Sequence, residues 1–196
     1  MRVRGISNYN ETAVFSETSR KLPAGAYEIK IIRAEEQNDT LCILFDIAGG
    51  ELKDYYLDKF NDDKKFNPDN AKFKGVYRLW YETEGNSDEL NERNRKSMKT
   101  ALERIKSSNN LNIDFSREWD GARLKGCRVG MIFRDEEYDF NGHKGFSARP
   151  YSIITLDSFR KGNYTLPQAK TLSGVPAANV SAPEMVQTPL DDDLPF

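Results

Sequence analysis

Residues 76–105 read VYRLWYETEGNSDELNERNRKSMKTALERI, and inside this stretch the hydrophobic period changes. As far as Glu82, Tyr77, Leu79 and Tyr81 alternate with Arg78 and Trp80, the two-residue period of a half-buried strand. Beyond it, Asn86 followed three residues later by Glu89 has the form of a capping box. Leu90, Met98, Ala101, Leu102 and Ile105 then fall on one helical stripe. Ser107, Ser108, Asn109 and Asn110 end that helix. A strand therefore hands over to a single helix in mid-chain, and the strands on either side of it decide the architecture.

Upstream, Leu22-Pro23-Ala24-Gly25 is a turn that launches a strand in which Tyr27, Ile29 and Ile31 alternate with Glu28, Lys30 and Arg33. Gln37-Asn38-Asp39 turns the chain into a second alternating run, Leu41, Ile43, Phe45 and Ile47, closed by Gly49-Gly50. Residues 52–60 read as a third extended segment. Residues 61–74, with Pro68 in their middle, read as a long polar loop. Downstream, Trp119 and Asp120-Gly121 lie in a connection. Residues 127–140 regain strand character with Val129, Met131 and Phe133 on one face, and Asn141-Gly142 is a strong hairpin turn into a partner strand over 146–156. Pro150 cannot donate to a ladder and suits an edge or a bulge.

Five or six strands with one helix describe a mainly β fold. The economical form is an OB-fold-like five-stranded Greek-key barrel, which places a helix between its third and fourth strands. The chain divides into an irregular N-terminal arm at 1–21, the barrel domain at 22–164, a disordered linker at 165–190 and an acidic tip at 191–196.

Charged residues make up 31% of the chain against 38% hydrophobic, and no apolar run approaches the ~20 residues of a membrane span. No apolar leader opens the sequence, so the expected location is the cytoplasm. Cys42 and Cys127 stand in strand-like apolar surroundings without metal-ligand spacing, which reads as two buried thiols. The single histidine, His143, speaks against a histidine-based catalytic or zinc site, and neither metal nor cofactor is expected. Net charge is −2, but from Leu166 onward one lysine stands against four acids, leaving the preceding body at +1. A polyanion would have to be met by a local groove.

Such a groove is legible. An unstacked nucleic-acid strand needs cations for its phosphates and aromatic faces for its bases. Lys53, Tyr55, Tyr56, Lys59, Phe60, Lys64, Lys65, Lys72, Lys74, Arg78 and Trp80 interleave the two between residues 53 and 80. Arg128, Arg134, Arg149 and Tyr151 add to them from the later strands. The plainer alternative for each residue alone is core packing for the aromatics and solvation for the lysines. The group favours binding because aromatics persist through a polar loop where no core needs them.

Asp191, Asp192, Asp193, Leu194, Pro195 and Phe196 form a different kind of site. The terminal ring can fill an apolar pocket on a partner while the carboxylates meet Arg or Lys on its rim. These six residues resemble the acidic C-terminal tip of bacterial single-stranded DNA-binding proteins, which implies recruitment of replication or repair proteins. The phrases Lys21-Leu22-Pro23-Ala24-Gly25-Ala26-Tyr27, Phe45-Asp46-Ile47-Ala48 and the run from Lys125-Gly126 to Arg134 followed by Phe140-Asn141-Gly142 are similar to a family of small phage-encoded proteins from replication modules. That resemblance implies a phage replication or recombination context and binding of single-stranded DNA. It assigns no contact residue and leaves self-association open.

Two rivals stand beside this reading. One is an adaptor that uses the tip without touching DNA. The other is a metal-dependent nuclease built on Asp54, Asp58, Asp62 and Asp63, disfavoured because these carboxylates lie among Lys53, Lys59, Lys64 and Lys65 without a nucleophile–base pair. The expectation is a binding protein, not an enzyme. Removing residues 191–196 should abolish capture of a replication or repair partner in a pull-down while leaving single-strand affinity equal or slightly raised at low salt. Loss of DNA binding with partners retained would instead make the tip part of the fold.

Overall fold

A computed structural model describes residues 7, 8, 10 and 20–172 of the 196. The tip, most of the 165–190 linker and most of the N-terminal arm lie outside the described residues. Five strands, β1 (Gly25–Gln37), β2 (Thr40–Ile47), β3 (Val76–Trp80), β4 (Arg128–Phe140) and β5 (His143–Ile154), form one antiparallel sheet in the order β3-β2-β1-β4-β5. Among the described residues three α-helices and a 3-10 turn at Gly121–Leu124 accompany them: α1 (Tyr55–Phe66), α2 (Asp88–Asn109) and the short α3 (Leu156–Arg160).

The alternation expected from sequence puts Ile29, Ile31, Leu41, Ile43, Phe45, Ile47, Leu79, Val129, Met131 and Phe133 in one core. In β1 the register shifts between Ile31 and Arg33, so Ile32 is an extra residue and Ala34, not Arg33, turns inward beyond it. Both tight hairpins have the left-handed backbone their sequences call for. Asn38 and Asp39 sit at φ 47° and 56°, and Asn141 and Gly142 at 51° and 80°. Pro150 lies on edge strand β5 where the register slips: Ile132 faces Ser152 but Phe133 faces Pro150, leaving Tyr151 as the bulged residue. Edge and bulge, the two places proline tolerates, coincide.

α2 lays Ala101, Leu102 and Ile105 on the core, as its stripe requires. Its N-cap is Ser87, whose hydroxyl accepts from Leu90 N, one residue later than the Asn86 expected from the capping box. Asn86 instead donates to the Asn91 side chain. The helix ends with Asn110 in the left-handed region at φ 50°.

Two interactions at the sheet's edges show its curvature. The Tyr77 hydroxyl on β3 donates to the Tyr151 carbonyl on β5 at 3.4 Å, and Arg104 of α2 donates to the Ile153 carbonyl at 2.5 Å. Five flat strands would hold their outer members about 19 Å apart. The sheet is therefore strongly curled, with α2 packed against strands at both margins.

The third extended segment expected over 52–60 is instead the start of α1, and the polar loop expected from residue 61 begins only after Phe66. The cause is a long-range cap. Asp54, the residue before the helix, has φ 58° and makes no side-chain cap. Asp46, buried at the end of β2, takes that role: Oδ1 accepts from Tyr56 N at 2.9 Å and from Ile47 N at 2.8 Å, and Oδ2 accepts from Leu57 N at 2.8 Å. Burial pushes the Asp46 carboxyl above the ordinary aspartate range, and the three backbone donors oppose that rise. Because the folded value lies above the unfolded one, the contribution of Asp46 is full below the ordinary range and falls as pH rises toward the folded value. Asp46→Ala should lower unfolding free energy near neutral pH by roughly 2–3 kcal/mol in urea titrations, through orphaned helix donors. The wild type should also lose stability relative to Asp46→Asn as pH is raised from about 4.

Candidate functional site

The structure divides the residues expected to form one groove among three places and sets Arg128 apart from all of them. The first is α1 and the loop after it. Tyr55 and Tyr56 are core residues, the latter only 8% exposed, so neither offers a face for stacking. The Tyr56 ring meets Phe45 edge-on at 5.5 Å, Tyr55 at 5.1 Å and Phe73 at 6.3 Å, while Phe60 meets Phe73 at 6.1 Å. Burial raises the Tyr56 hydroxyl far above its usual range. Lys59 sits 4.7 Å over the Tyr55 ring, a cation–π contact internal to the helix.

The neighbouring lysines are largely answered by acids. Lys53 lies 3.9 Å from Asp54, Lys65 2.9 Å from Asp62 and Lys74 3.1 Å from Asp63, while Asp58 faces Arg20 at 3.6 Å. The four aspartates weighed as metal ligands are thus spread among separate ion pairs. Among the described residues no group of three or more His, Cys, Asp or Glu side chains is placed to hold a metal ion. Lys64 and Lys72 are exposed.

The second place is the outer face of β3. Leu79 is buried on the inner side, whereas Arg78 and Trp80 point outward and Trp80 is 58% exposed. Tyr77 faces the other way and ties β3 to β5 through its hydroxyl, whose ionisation burial pushes up. The alternation read from residues 76–82 thus assigned both faces of this strand.

The third place is where β4 and β5 leave the core. Arg134 and Arg149 are direct cross-strand neighbours, and the Arg134 guanidinium lies 4.6 Å over the ring of Tyr151, which is 46% exposed. The bulge at Tyr151 explains the contact, since the extra residue carries the ring out over the strand pair. Arg134 also pairs with Glu136, and Arg149 is near enough to Tyr56 to oppose the rise of its hydroxyl.

Arg128 belongs to none of these groups. It stands six residues before Arg134, about 20 Å along an extended strand, and pairs with Glu28 at 2.9 Å. Its backbone is clasped by Asn109, which donates to the Arg128 carbonyl and accepts from its N–H. The arrangement therefore joins Arg134, Arg149 and Tyr151 on one edge of the curled sheet. Arg78 and Trp80 stand on the other edge, and the Tyr77–Tyr151 hydrogen bond brings the two strands together.

Residues that sequence reasoning passed over also stand out. Pairing of β1 with β4 ends at Gly25 opposite Phe133, and beyond it β4 and β5 continue as a two-stranded ribbon. Tyr138, Phe140 and Phe146 are exposed on that ribbon. Their alternation was visible in the sequence, but it read as ordinary strand because nothing local marked where β1 stops covering it. Residues 165–170, expected to belong to the linker, reach this ribbon: Lys170 N donates to the Asp135 carbonyl and Glu137 N donates to the Lys170 carbonyl, each at 2.8 Å. No known protein-family model matches this chain, and no curated protein matches its sequence.

The split between buried and exposed aromatics has a direct consequence. Tyr56→Ala should cost roughly 3–5 kcal/mol of unfolding free energy, as for other large core truncations, whereas Trp80→Ala should stay within about 0.5 kcal/mol. Paired urea melts measure both.

Proposed function

We propose that this chain binds single-stranded DNA with little sequence preference, and that the segment 191–196 recruits phage or host replication and repair proteins to the bound strand. The observation that carries this reading is the exposed Tyr151 ring with the Arg134 guanidinium upon it and Arg149 beside it, while Arg78 and exposed Trp80 lie on the outer face of β3, the strand that Tyr77 ties to Tyr151. Each group supplies what an unstacked strand requires. A ring offers a π-face to any base, and a cation meets the adjoining phosphate. These residues form no arrangement suited to reading the edges of paired bases. The role is binding rather than catalysis, with neither cofactor nor metal, in the cytoplasm of a bacterial host.

We infer further that the curled sheet is of OB type. A strand order β3-β2-β1-β4-β5, a helix between the third and fourth strands, and edge strands within hydrogen-bond reach are the features of an OB-type Greek-key barrel left open at one seam. That fold supports an oligonucleotide site but does not dictate one. No helix among the described residues is long and apolar enough to cross a membrane.

A second reading draws on the ion pairs that occupy Lys53, Lys65 and Lys74. With those charges answered, the chain would be an adaptor that recruits proteins through residues 191–196 without holding DNA. An oligo-dT titration followed by tryptophan fluorescence separates the two. Four phosphate contacts, from Arg78, Arg134, Arg149 and one exposed lysine, should give a slope of log affinity against log salt near −3, at about −0.7 per contact. Equal affinity for duplex and single strand would overturn the single-strand reading, and no binding at low salt would favour the adaptor.

A further inference from the structure

We propose that the ribbon of β4 and β5 beyond the core is part of the binding surface, and that the bases of a single strand stack on Tyr138 and Phe140 in continuation of Tyr151. This rests on the single-strand reading above and adds residues that it does not contain. Phe133 faces the core, so alternation along β4 places Arg134, Glu136, Tyr138 and Phe140 together on the outer face. Their cross-strand partners Arg149, Ser147, Gly145 and His143 share it. Tyr138 and Phe140 are 42% and 70% exposed, although a ribbon outside the core gains nothing from displaying large rings to water.

The placement of Tyr138 points to a planar ligand. A Cβ built on Gly145 would come 2.8 Å from the Tyr138 hydroxyl oxygen and 3.0 Å from Cζ, so the ring occupies the space a side chain would take. Its hydroxyl end reaches across to the Gly145 backbone while much of the side chain stays exposed. Tyr151 presents its ring similarly, backed by the Arg134 guanidinium.

Charge separates the two sides of the ribbon. Asp135, Glu137 and Asp139 alternate to the opposite face, where Asp139 pairs with Lys144 at 3.5 Å and the Glu137 carboxylate accepts from Leu172 N at 3.0 Å. On the outer face the one acid, Glu136, is bound to Arg134, and Arg149 and His143 stand at its two ends. A polyanion is thus repelled from one face and admitted to the other. The bridge through Lys170 lies along the edge of β4, and among the described residues Tyr138 and Phe140 remain exposed beside it. From Phe133 to Phe140 the ribbon extends about 24 Å, length enough for several nucleotides.

The test is titration of the full chain with oligo-dT of about 20 nucleotides, longer than the usual single-domain footprint. Tyr138→Ala and Phe140→Ala should each weaken binding roughly 5- to 150-fold, the range for loss of one base–aromatic stack. Phe146→Ala, on the acidic face, should leave the isotherm unchanged. Gly145→Ala should weaken binding by tilting the Tyr138 ring without lowering the thermal midpoint, which marks Gly145 as a positioning residue. Ultraviolet cross-linking of the oligonucleotide should fall on the peptide carrying Tyr138 and Phe140. Wild-type affinity in both alanine variants would overturn this inference and leave single-strand binding by Tyr151 and Trp80 standing, whereas absence of binding by the wild-type chain would remove the reading beneath it. A larger effect of Phe146→Ala, or altered sedimentation of the Tyr138→Ala variant with an unchanged isotherm, would overturn it in favour of the other face or of a contact between copies of the chain.

Discussion

One apolar face must be buried by five strands and a single long helix, and most of the structure follows from how that is done. Ile29, Ile31, Ile43, Phe45, Ile47, Val129, Met131 and Phe133 all lie on the same side of the sheet. A flat sheet this wide would leave its margins beyond the reach of α2, whose buried stripe is the short set Ala101, Leu102 and Ile105. Curling the sheet until Tyr77 meets Tyr151 and Arg104 meets Ile153 lets one helix serve both margins. Each edge carbonyl so engaged is one fewer unpaired acceptor on an edge strand.

The same curl decides what remains outside. Side chains that alternate away from the core lie on a convex surface where neighbours diverge, so Trp80 and Tyr151 keep exposed rings while Phe45 and Phe133 have none. Arg134 shows how such a surface is organised. Its guanidinium is held between Glu136 and the Tyr151 ring, which restrains a long side chain that would otherwise lose rotamer entropy on meeting a ligand.

α1 illustrates a different coupling. Two adjacent tyrosines enter the core from the first turn of a helix, and that turn is fixed by a carboxylate ten residues upstream. Asp46 sits in the middle of the apolar run Phe45–Ile47 and, with Thr40, is one of the polar side chains buried among the described residues. Its three backbone partners explain why it is tolerated there. The helix is thus a product of the sheet beside it, and its charges form no continuous basic track: Lys65 pairs with Asp62 within the helix, while Asp58 meets Arg20 and Asp63 meets Lys74 from outside it.

What residue order alone determined here is whatever depends on neighbours in sequence. Strand alternation, the Asn38-Asp39 and Asn141-Gly142 turns, the stripe of α2 and the outward placement of Trp80 and Arg78 all rest on backbone periodicity or on φ/ψ preferences within a few residues, and each is legible without a fold. What only tertiary structure decided depends on partners far apart in the chain. Residues 52–60 read as an extended segment by their place after the second strand, yet from Tyr55 onward they are helical because Asp46 supplies the missing cap. Tyr55 and Tyr56 leave the candidate site because a core residue and a stacking residue have the same local signature, and only packing against Phe45 and Phe73 separates them. Arg128 and Arg134 share a face of one strand in sequence, but the end of β1 opposite Phe133 and the clasp of Asn109 on Arg128 give them different surroundings. The prominence of Tyr138, Phe140 and Phe146 likewise rests on where β1 stops covering β4, a fact of strand register set by contacts about a hundred residues apart, which no local pattern encodes.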